Sequence, residues 1–161
     1  MLSVKPYDRV QAVSYAQKWA LDRNPEFYDF SDLGGDCTNF ISQCIYAGAR
    51  QMNVTPTFGW YYRSPANRSP SWSGVPYLYQ FLLTNQGTGP FAKVIPLSDV
   101  ALGDVIQLGD LEGNFYHSLL VTSCAAGKIL VATHSYDALD RPLTSYSFQR
   151  FRCLHINGVR A

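Results

Sequence analysis

The cysteine at position 37 stands where a sequence would place a nucleophile. It follows Gly34, Gly35 and Asp36, and an apolar run compatible with a helix begins at the cysteine itself. Two glycines allow a tight turn, and a side chain in the first helical turn meets unpaired N–H groups and the positive end of the helix dipole. These groups favour thiolate, the attacking form of cysteine. The pattern predicts a cysteine hydrolase, although a buried structural cysteine behind a glycine turn fits the same residues.

Two of the three histidines flank a predicted hairpin. His117 opens one predicted strand and His134 closes the next. If the turn is centred between Ala125 and Ala126, the two histidines form a cross-strand pair with Cβ atoms about 5 Å apart. A register shift of one residue would place them on opposite faces of the sheet. We expect His117 to accept the proton of Cys37 and His134 to orient the His117 imidazole as the third member of a triad.

Other polar residues compete for these roles. Asn114, Ser135 and Asp137 are alternative third members, whereas His155, in a predicted C-terminal strand, is interpreted as structural. A metal site built from the cysteine and the first two histidines is a further alternative, because both residue types bind zinc. A first-turn cysteine after two glycines suits a nucleophile better, so we expect no metal and no cofactor.

The segment from position 53 to 74 is rich in proline and aromatic residues and has no regular periodicity. No Asp or Glu occurs between Cys37 and Ser98, whereas arginines do. Arginine side chains pair well with carboxylates, so this segment is predicted to form one wall of a substrate groove. The alternative is a surface loop whose aromatic side chains cover the core. The candidate substrate-binding residues are Trp60, Arg63, Arg68 and Trp72.

Composition limits the classes of protein that fit this chain. A length of 161 residues with 47% hydrophobic and 16% charged residues predicts one folded domain spanning residues 1–161. The net charge of +1 offers no argument for binding nucleic acid. No apolar stretch approaches the roughly 20 residues that span a bilayer. We expect a monomer that acts on a peptide substrate.

The N-terminus and the cysteines bear on the compartment. Residues 1–8 lack the apolar core of a signal peptide, so the chain is either not exported in this form or is a domain of a longer, secreted or wall-associated protein. The four cysteines show no CxxC spacing, which excludes a zinc ribbon and a thioredoxin motif. Cys44 lies two helical turns after Cys37 and is predicted to be a core residue. A disulfide between Cys124 and Cys153 is one possible pairing.

Helical patterns precede strand patterns along the chain, which predicts an α+β fold with segregated elements. The second helix is expected to end at Gly48. The predicted helices cover residues 8–22, 37–47 and 75–83, and the predicted strands cover residues 91–95, 105–108, 117–122, 128–133 and 149–156.

Several segments together resemble one known family. Residues 34–44, Gly-Gly-Asp-Cys-Thr-Asn-Phe-Ile-Ser-Gln-Cys, resemble the nucleophile motif of the bacterial putative amidase domain family, which belongs with the papain-like cell-wall hydrolases of the NlpC and CHAP types. Residues 102–107 are similar to the Gly-Asp strand of such enzymes, and residues 117–122 to the strand that carries the catalytic histidine. Residues 133–135 occupy the place of the third polar residue.

The resemblance implies a papain-like fold, with N-terminal helices packed on a C-terminal antiparallel sheet. It implies hydrolysis of an amide bond, often in peptidoglycan-like wall peptides, through a thioester on Cys37. By the same analogy, Tyr28 is a candidate to help the Cys37 backbone N–H bind the oxyanion. Two alternatives stay open: an acyltransferase or transpeptidase that uses the same Cys-His site, and a non-catalytic wall-binding module.

Overall fold

The computed structural model describes residues 1–161 and packs four helices against one large antiparallel sheet. The helices are α1 (Arg9–Trp19), α2 (Cys37–Ala49), α3 (Pro70–Ser73) and α4 (Val75–Thr84). The strands are β1 (Val4–Lys5), β2 (Tyr62–Ser64), β3 (Asn67–Arg68), β4 (Gly89–Ile95), β5 (Val105–Gly109), β6 (Phe115–Ser123), β7 (Leu130–Thr133), β8 (Ala138–Pro142) and β9 (Arg150–Arg160). The α+β class and the antiparallel sheet agree with the prediction. None of the helices is long and apolar enough to cross a bilayer.

The seven-stranded sheet is built around the long strand β9. The strand order is β1-β9-β5-β6-β7-β8, and β4 also pairs with β9. A separate hairpin is formed by β2 and β3. The five predicted strands are present, whereas β1, β2, β3 and β8 were not predicted. All four cysteines are free, so the possible disulfide between Cys124 and Cys153 does not form.

A capping residue starts α1, and a glycine allows α1 and α2 to pack closely. Asp8 caps α1 by accepting a hydrogen bond from the backbone N–H of Gln11 at 3.1 Å. The prediction that α2 ends at Gly48 is wrong, because Gly48 lies within the helix. A Cβ atom at this position would lie 2.5 Å from the carbonyl oxygen of Asp8. Glycine is needed there for the close packing of α1 and α2, and the helix ends at Arg50, which adopts a left-handed φ of 56°.

The large sheet carries a hydrophobic cluster on each face. Alternate residues of β6 divide between them: Leu120 packs with the helices, whereas Leu119 and Val121 pack in the smaller cluster on the opposite face. Helix α2 packs on β6, so the start of this helix is held close to the strand that carries His117.

The tryptophans of the 53–74 segment belong to the helix-side cluster. The side chains of Trp60 and Trp72 are both 0% exposed. Their indole N–H groups donate to Ser42 Oγ and to Asn39 Oδ1, each at 3.0 Å. A fully buried side chain has no surface to offer a substrate, so the prediction that these two tryptophans bind substrate is wrong. They anchor the segment to α2 instead.

The predicted register of the β6–β7 hairpin is also wrong. Leu120 pairs with Ala132 and Val121 with Val131, one residue away from the expected alignment, and a bulge follows between Val121 and Ser123. Since side chains alternate between faces, this one-residue difference places His117 and His134 on opposite faces of the sheet. The two histidines therefore do not form a cross-strand pair.

Candidate active site

Cys37 and His117 line the same cavity, which lies where the start of α2 meets the ends of β5, β6 and β7. The volume of this cavity is about 760 Å³. Its walls come from the turn before α2, from β5 and β6, and from the segments on either side of β8. The lining residues are Arg23, Ser31, Gly34, Gly35, Cys37, Leu108, Tyr116, His117, Ser135, Tyr136, Asp137, Arg141, Tyr146 and Ser147.

The two glycines before the cysteine form the turn that the sequence predicted. Gly34 and Gly35 have φ values of +90° and +106°, in the region that favours glycine. A Cβ atom on Gly35 would lie 3.1 Å from Ser135 Oγ. That hydroxyl accepts a hydrogen bond from the backbone N–H of Asp36 at 2.9 Å. The turn is thus fixed to the loop that follows β7.

Asp36 stands at the N-cap position of α2, but its side chain makes no capping hydrogen bond to the helix backbone. Its carboxylate Oδ1 accepts from the backbone N–H of Phe30 and from Asn39 Nδ2, both at 2.8 Å. Its Oδ2 lies 2.5 Å from His134 Nδ1. The carboxylate is buried, so these contacts replace the water that a charged group would otherwise need.

His134 is buried beneath the turn and outside the cavity wall. Its Nδ1 contacts Asp36, and its Nε2 lies 2.9 Å from the carbonyl oxygen of Trp19. The ring stacks on Phe40 with centroids 4.0 Å apart. Neither ring nitrogen contacts His117. The expectation that His134 orients the His117 imidazole is therefore contradicted, and His134 supports the residue that precedes the nucleophile.

The Cys37 thiol is more deeply buried than the helix-start argument assumed. Its Sγ lies 3.7 Å from Thr38 Oγ1, whose hydroxyl is 2.9 Å from Ser118 Oγ on β6. Burial raises the pKa of the Cys37 thiol, and hydrogen bonding to the backbone of Ser118 and to Thr38 offsets this rise only in part. The prediction that the helix start lowers the pKa of this thiol is wrong for the resting site.

The His117 imidazole is also held in its neutral form. Burial, together with the positive charge of Arg141, lowers the pKa of His117 to about 4. Its Nε2 lies 3.5 Å from Thr133 Oγ1, a long distance for a hydrogen bond. At neutral pH the resting site therefore holds a thiol and a neutral imidazole, so a proton must move from sulfur to nitrogen when the cysteine attacks.

The remaining predicted candidates lie outside the cavity wall or make other contacts. Tyr28 lines a separate surface pocket together with Arg63, and Asn39 Nδ2 donates to its carbonyl oxygen at 2.9 Å. Arg68 lies over the ring of Phe30 and donates from Nε to Ser73 Oγ. The prediction that Arg63 and Arg68 bind substrate carboxylates is not supported by these positions outside the cavity that holds Cys37.

The alternative third members of a triad do not contact His117 either. Asn114 is exposed and its side chain bonds to Asp110. Ser135 accepts the hydrogen bond of the turn described above, and Asp137 forms a two-pronged ion pair with Arg23, at 2.9 and 3.1 Å. No group of three His, Cys, Asp or Glu side chains is placed to hold a metal ion.

Sequence reasoning missed the residues that line the far side of the cavity. Arg141 and Tyr146 lie on either side of a short turn after β8, and the Arg141 guanidinium carbon is 3.8 Å from the Tyr146 ring centroid. Ser135 and Tyr136 both adopt positive φ values, of 62° and 64°, which tightens the β7–β8 turn at the cavity rim. No glycine or asparagine marks this turn, so the sequence held no signal for it.

Comparison with known sequence families assigns the chain to one of them. The sequence model of the family described as "Putative amidase domain" matches residues 6–156, which is nearly the whole chain. The chain belongs to this family.

Two proteins of Bacillus subtilis (strain 168) are similar to it. One, named "Uncharacterized protein YhbB", is 38% identical over 138 residues, covering 82% of this chain and 42% of that protein. The other, named "Uncharacterized protein YjcM", is 30% identical over 148 residues, covering 87% of this chain and 34% of that protein. The chain thus spans well under half the length of these relatives. No solved structure matches it.

Proposed function

We propose that this chain is a cysteine-dependent amidase with Cys37 as the nucleophile and His117 as the general base. The observation that carries the proposal is the shared cavity: a cysteine in the first turn of a helix and a neutral histidine on a strand open into one space. A nucleophile beside a base is the arrangement that acyl transfer requires. Membership of an amidase family supports an amide as the substrate.

The proposed reaction begins with proton transfer. As Cys37 Sγ attacks the amide carbonyl carbon, its proton passes to His117, which is unprotonated at neutral pH because its pKa is about 4. The C–N bond breaks when His117 returns the proton to the leaving amine, which leaves a thioester on Cys37. His117 then activates water, and the second attack releases the carboxylic acid and restores the thiol.

Backbone geometry supplies one group for the transition state. The N–H of Cys37 is in the first turn of α2 and has no partner within the helix. A donor aimed at the developing oxyanion contributes about 3–4 kcal/mol to lowering the barrier. The backbone N–H of Tyr28 already donates to Tyr62 Oη at 2.8 Å, and its side chain lines a separate pocket, so Tyr28 is not proposed as the second donor.

Thr133 is proposed in place of His134 as the residue that orients the base. Its hydroxyl lies on the same face as His117 and 3.5 Å from Nε2. A hydrogen bond from Nε2–H to this oxygen would leave Nδ1 unprotonated and able to accept the thiol proton. Such bonds are often long before substrate binds.

The resemblance to papain-like wall hydrolases, together with relatives that come from a bacterium, supports an amide bond of bacterial wall peptide as the substrate. The test is mass analysis of products released from purified cell wall. The wild-type protein should generate new carboxyl and amino ends, whereas Cys37→Ala and His117→Ala should generate none.

Cys124→Ala is the matched control, because Cys124 is a partly exposed cysteine outside this cavity, and it should retain full activity. Products of Cys37→Ala equal to those of the wild type would overturn the proposal. An added amine that appears in the products would instead identify an acyltransferase at the same site.

A further inference from the structure

One cation that lines the same cavity as the nucleophile has no acidic partner. Two arginines line this space, and one of them is neutralised, since Arg23 pairs with Asp137 and lies 3.3 Å from Asp29. The other, Arg141, pairs with no carboxylate of the protein. A half-buried guanidinium without a counter-ion thus lines the same cavity as the candidate nucleophile, where it can attract an anion.

Arg141 is held in place by neutral groups. Its Nε donates to Ser145 Oγ at 2.8 Å, and its Nη2 donates to the Ser145 carbonyl oxygen at 3.1 Å. Its guanidinium stacks on the ring of Tyr146. These contacts fix the plane of the guanidinium, and Nη1 has no acceptor within the protein. The Arg141 guanidinium is thus pre-organised, and its Nη1 N–H groups are available to bind an anion.

A second polar group in the same wall is unsatisfied. The hydroxyl of Tyr146 is buried and has no hydrogen-bond partner of acceptable geometry. Burial raises the pKa of this phenol, and Arg141 opposes the rise through its charge and through a side-chain contact with the phenol oxygen. Buried polar groups without partners are uncommon in folded proteins. A guanidinium without a carboxylate partner and a phenol without a well-formed hydrogen bond therefore adjoin each other in one corner of the cavity.

We propose that Arg141, with Tyr146 beneath it, forms a carboxylate-binding subsite that selects amide substrates bearing a carboxylate close to the scissile bond. This inference rests on the proposed function for its catalytic meaning, but not for the binding itself. Guanidinium binds carboxylates through parallel hydrogen bonds, and the cavity supplies a low-dielectric wall that strengthens them.

The test uses two probes of nearly equal size, N-acetylglycine and its neutral analogue N-acetylglycinamide. Binding is followed through the ring NMR signals of His117, one of only three histidines in the chain, which shares the cavity with Arg141. N-acetylglycine should shift these signals saturably, and N-acetylglycinamide should bind at least about tenfold more weakly. Inorganic phosphate is a third probe, and binding of phosphate without N-acetylglycine would overturn the assignment to carboxylates.

Arg141→Gln should abolish the preference for the charged probe. Arg63→Gln is the matched control, because it removes the same charge from an exposed position outside the cavity, and it should leave the preference unchanged. If Arg141→Gln fails to fold, Arg141→Lys keeps the charge but loses the planar fork, and should bind N-acetylglycine several-fold more weakly than the wild type. Equal binding of both probes to the wild type, or an unchanged preference in the folded Arg141 variant, would overturn the proposal.

The same titrations in Cys37→Ala separate this inference from the proposed function. If carboxylate binding depends on Arg141 but no hydrolysis depends on Cys37, only the proposed function is contradicted. Cys37-dependent hydrolysis by a protein that binds both probes equally would contradict the subsite alone.

Discussion

Replacing His134 with alanine should strongly destabilise the fold, because it removes the main partner of a buried carboxylate. Asp36 and His134 are each only 1% exposed, and their Oδ2 and Nδ1 atoms are 2.5 Å apart. Without the imidazole, Asp36 keeps the N–H of Phe30 and the amide of Asn39, and Arg23 Nε lies 3.7 Å away. Breaking a buried pair in this way costs about 3–5 kcal/mol.

This cost translates into a measurable fall in melting temperature. For a chain of this length, each 1 kcal/mol lowers the Tm by about 2–4 °C, so the expected loss is roughly 6–20 °C. Urea unfolding of the wild type, Asp36→Asn, His134→Gln and the double variant would give the coupling energy directly. We expect the two single variants to be strongly non-additive.

His155→Ala is the matched control. His155 also contacts a buried carboxylate, that of Asp104, at 2.7 Å, but its own side chain is 26% exposed. Asp104 would keep Arg9 at 2.7 Å and the N–H groups of Ala101 and Ile156. The expected loss there is about 1 kcal/mol or less. A stable His134→Ala protein, within about 1 kcal/mol of the wild type, would refute the reasoning.

Two further predictions follow from the site and the core. The NMR signals of His117 should titrate with a pKa of about 4. Arg141→Gln should raise this pKa, because loss of a positive neighbour favours the imidazolium. Titration of His117 at the ordinary value of about 6.5 would contradict the prediction. Base function of His117 should accordingly be lost only as the pH falls through about 4. Gly48→Ala should destabilise the protein by about 1–3 kcal/mol, measured by urea unfolding, because the new Cβ would meet the Asp8 carbonyl oxygen. This loss should occur although alanine has the better helix propensity. Equal or greater stability of the variant would show that α1 and α2 can separate at no cost.

The elements that obey local rules could be predicted from the sequence. The Gly-Gly turn, the start of α2 at Cys37 and the strand that carries His117 all follow from short-range patterns, and the structure has each of them. These features are enough to place a thiol and an imidazole on neighbouring elements. They do not determine which side chains share a face.

The errors arise where a distant contact or a single residue decides the outcome. A bulge after Val121 shifts the hairpin register by one, which moves His134 to the other face. Strand β8 was missed because Ser135 and Tyr136 adopt a left-handed turn without the usual residues. The aromatic segment lacks periodicity because Trp60 and Trp72 pack on each other in the core, with ring centroids 4.8 Å apart, and each donates a hydrogen bond to α2.

The pKa of Cys37 shows how burial competes with a local electrostatic effect. Position in the first helical turn favours thiolate, and that part of the argument is sound. The surrounding core removes water from the sulfur, however, and this burial has the largest effect on the pKa of the thiol, which is raised. Sequence alone cannot weigh these two effects, since the degree of burial is set by elements far away along the chain.

Arg141 connects the two proposals made for this site. Its positive charge contributes to the low pKa of His117 in the resting protein. A substrate carboxylate seated on Arg141 would neutralise that charge and make His117 a stronger base at the moment when the cysteine must lose its proton. Part of the binding energy would then appear in the chemical step. On this reasoning a substrate that lacks the carboxylate should suffer in kcat as well as in KM, whereas a subsite that only captured substrate would change KM alone.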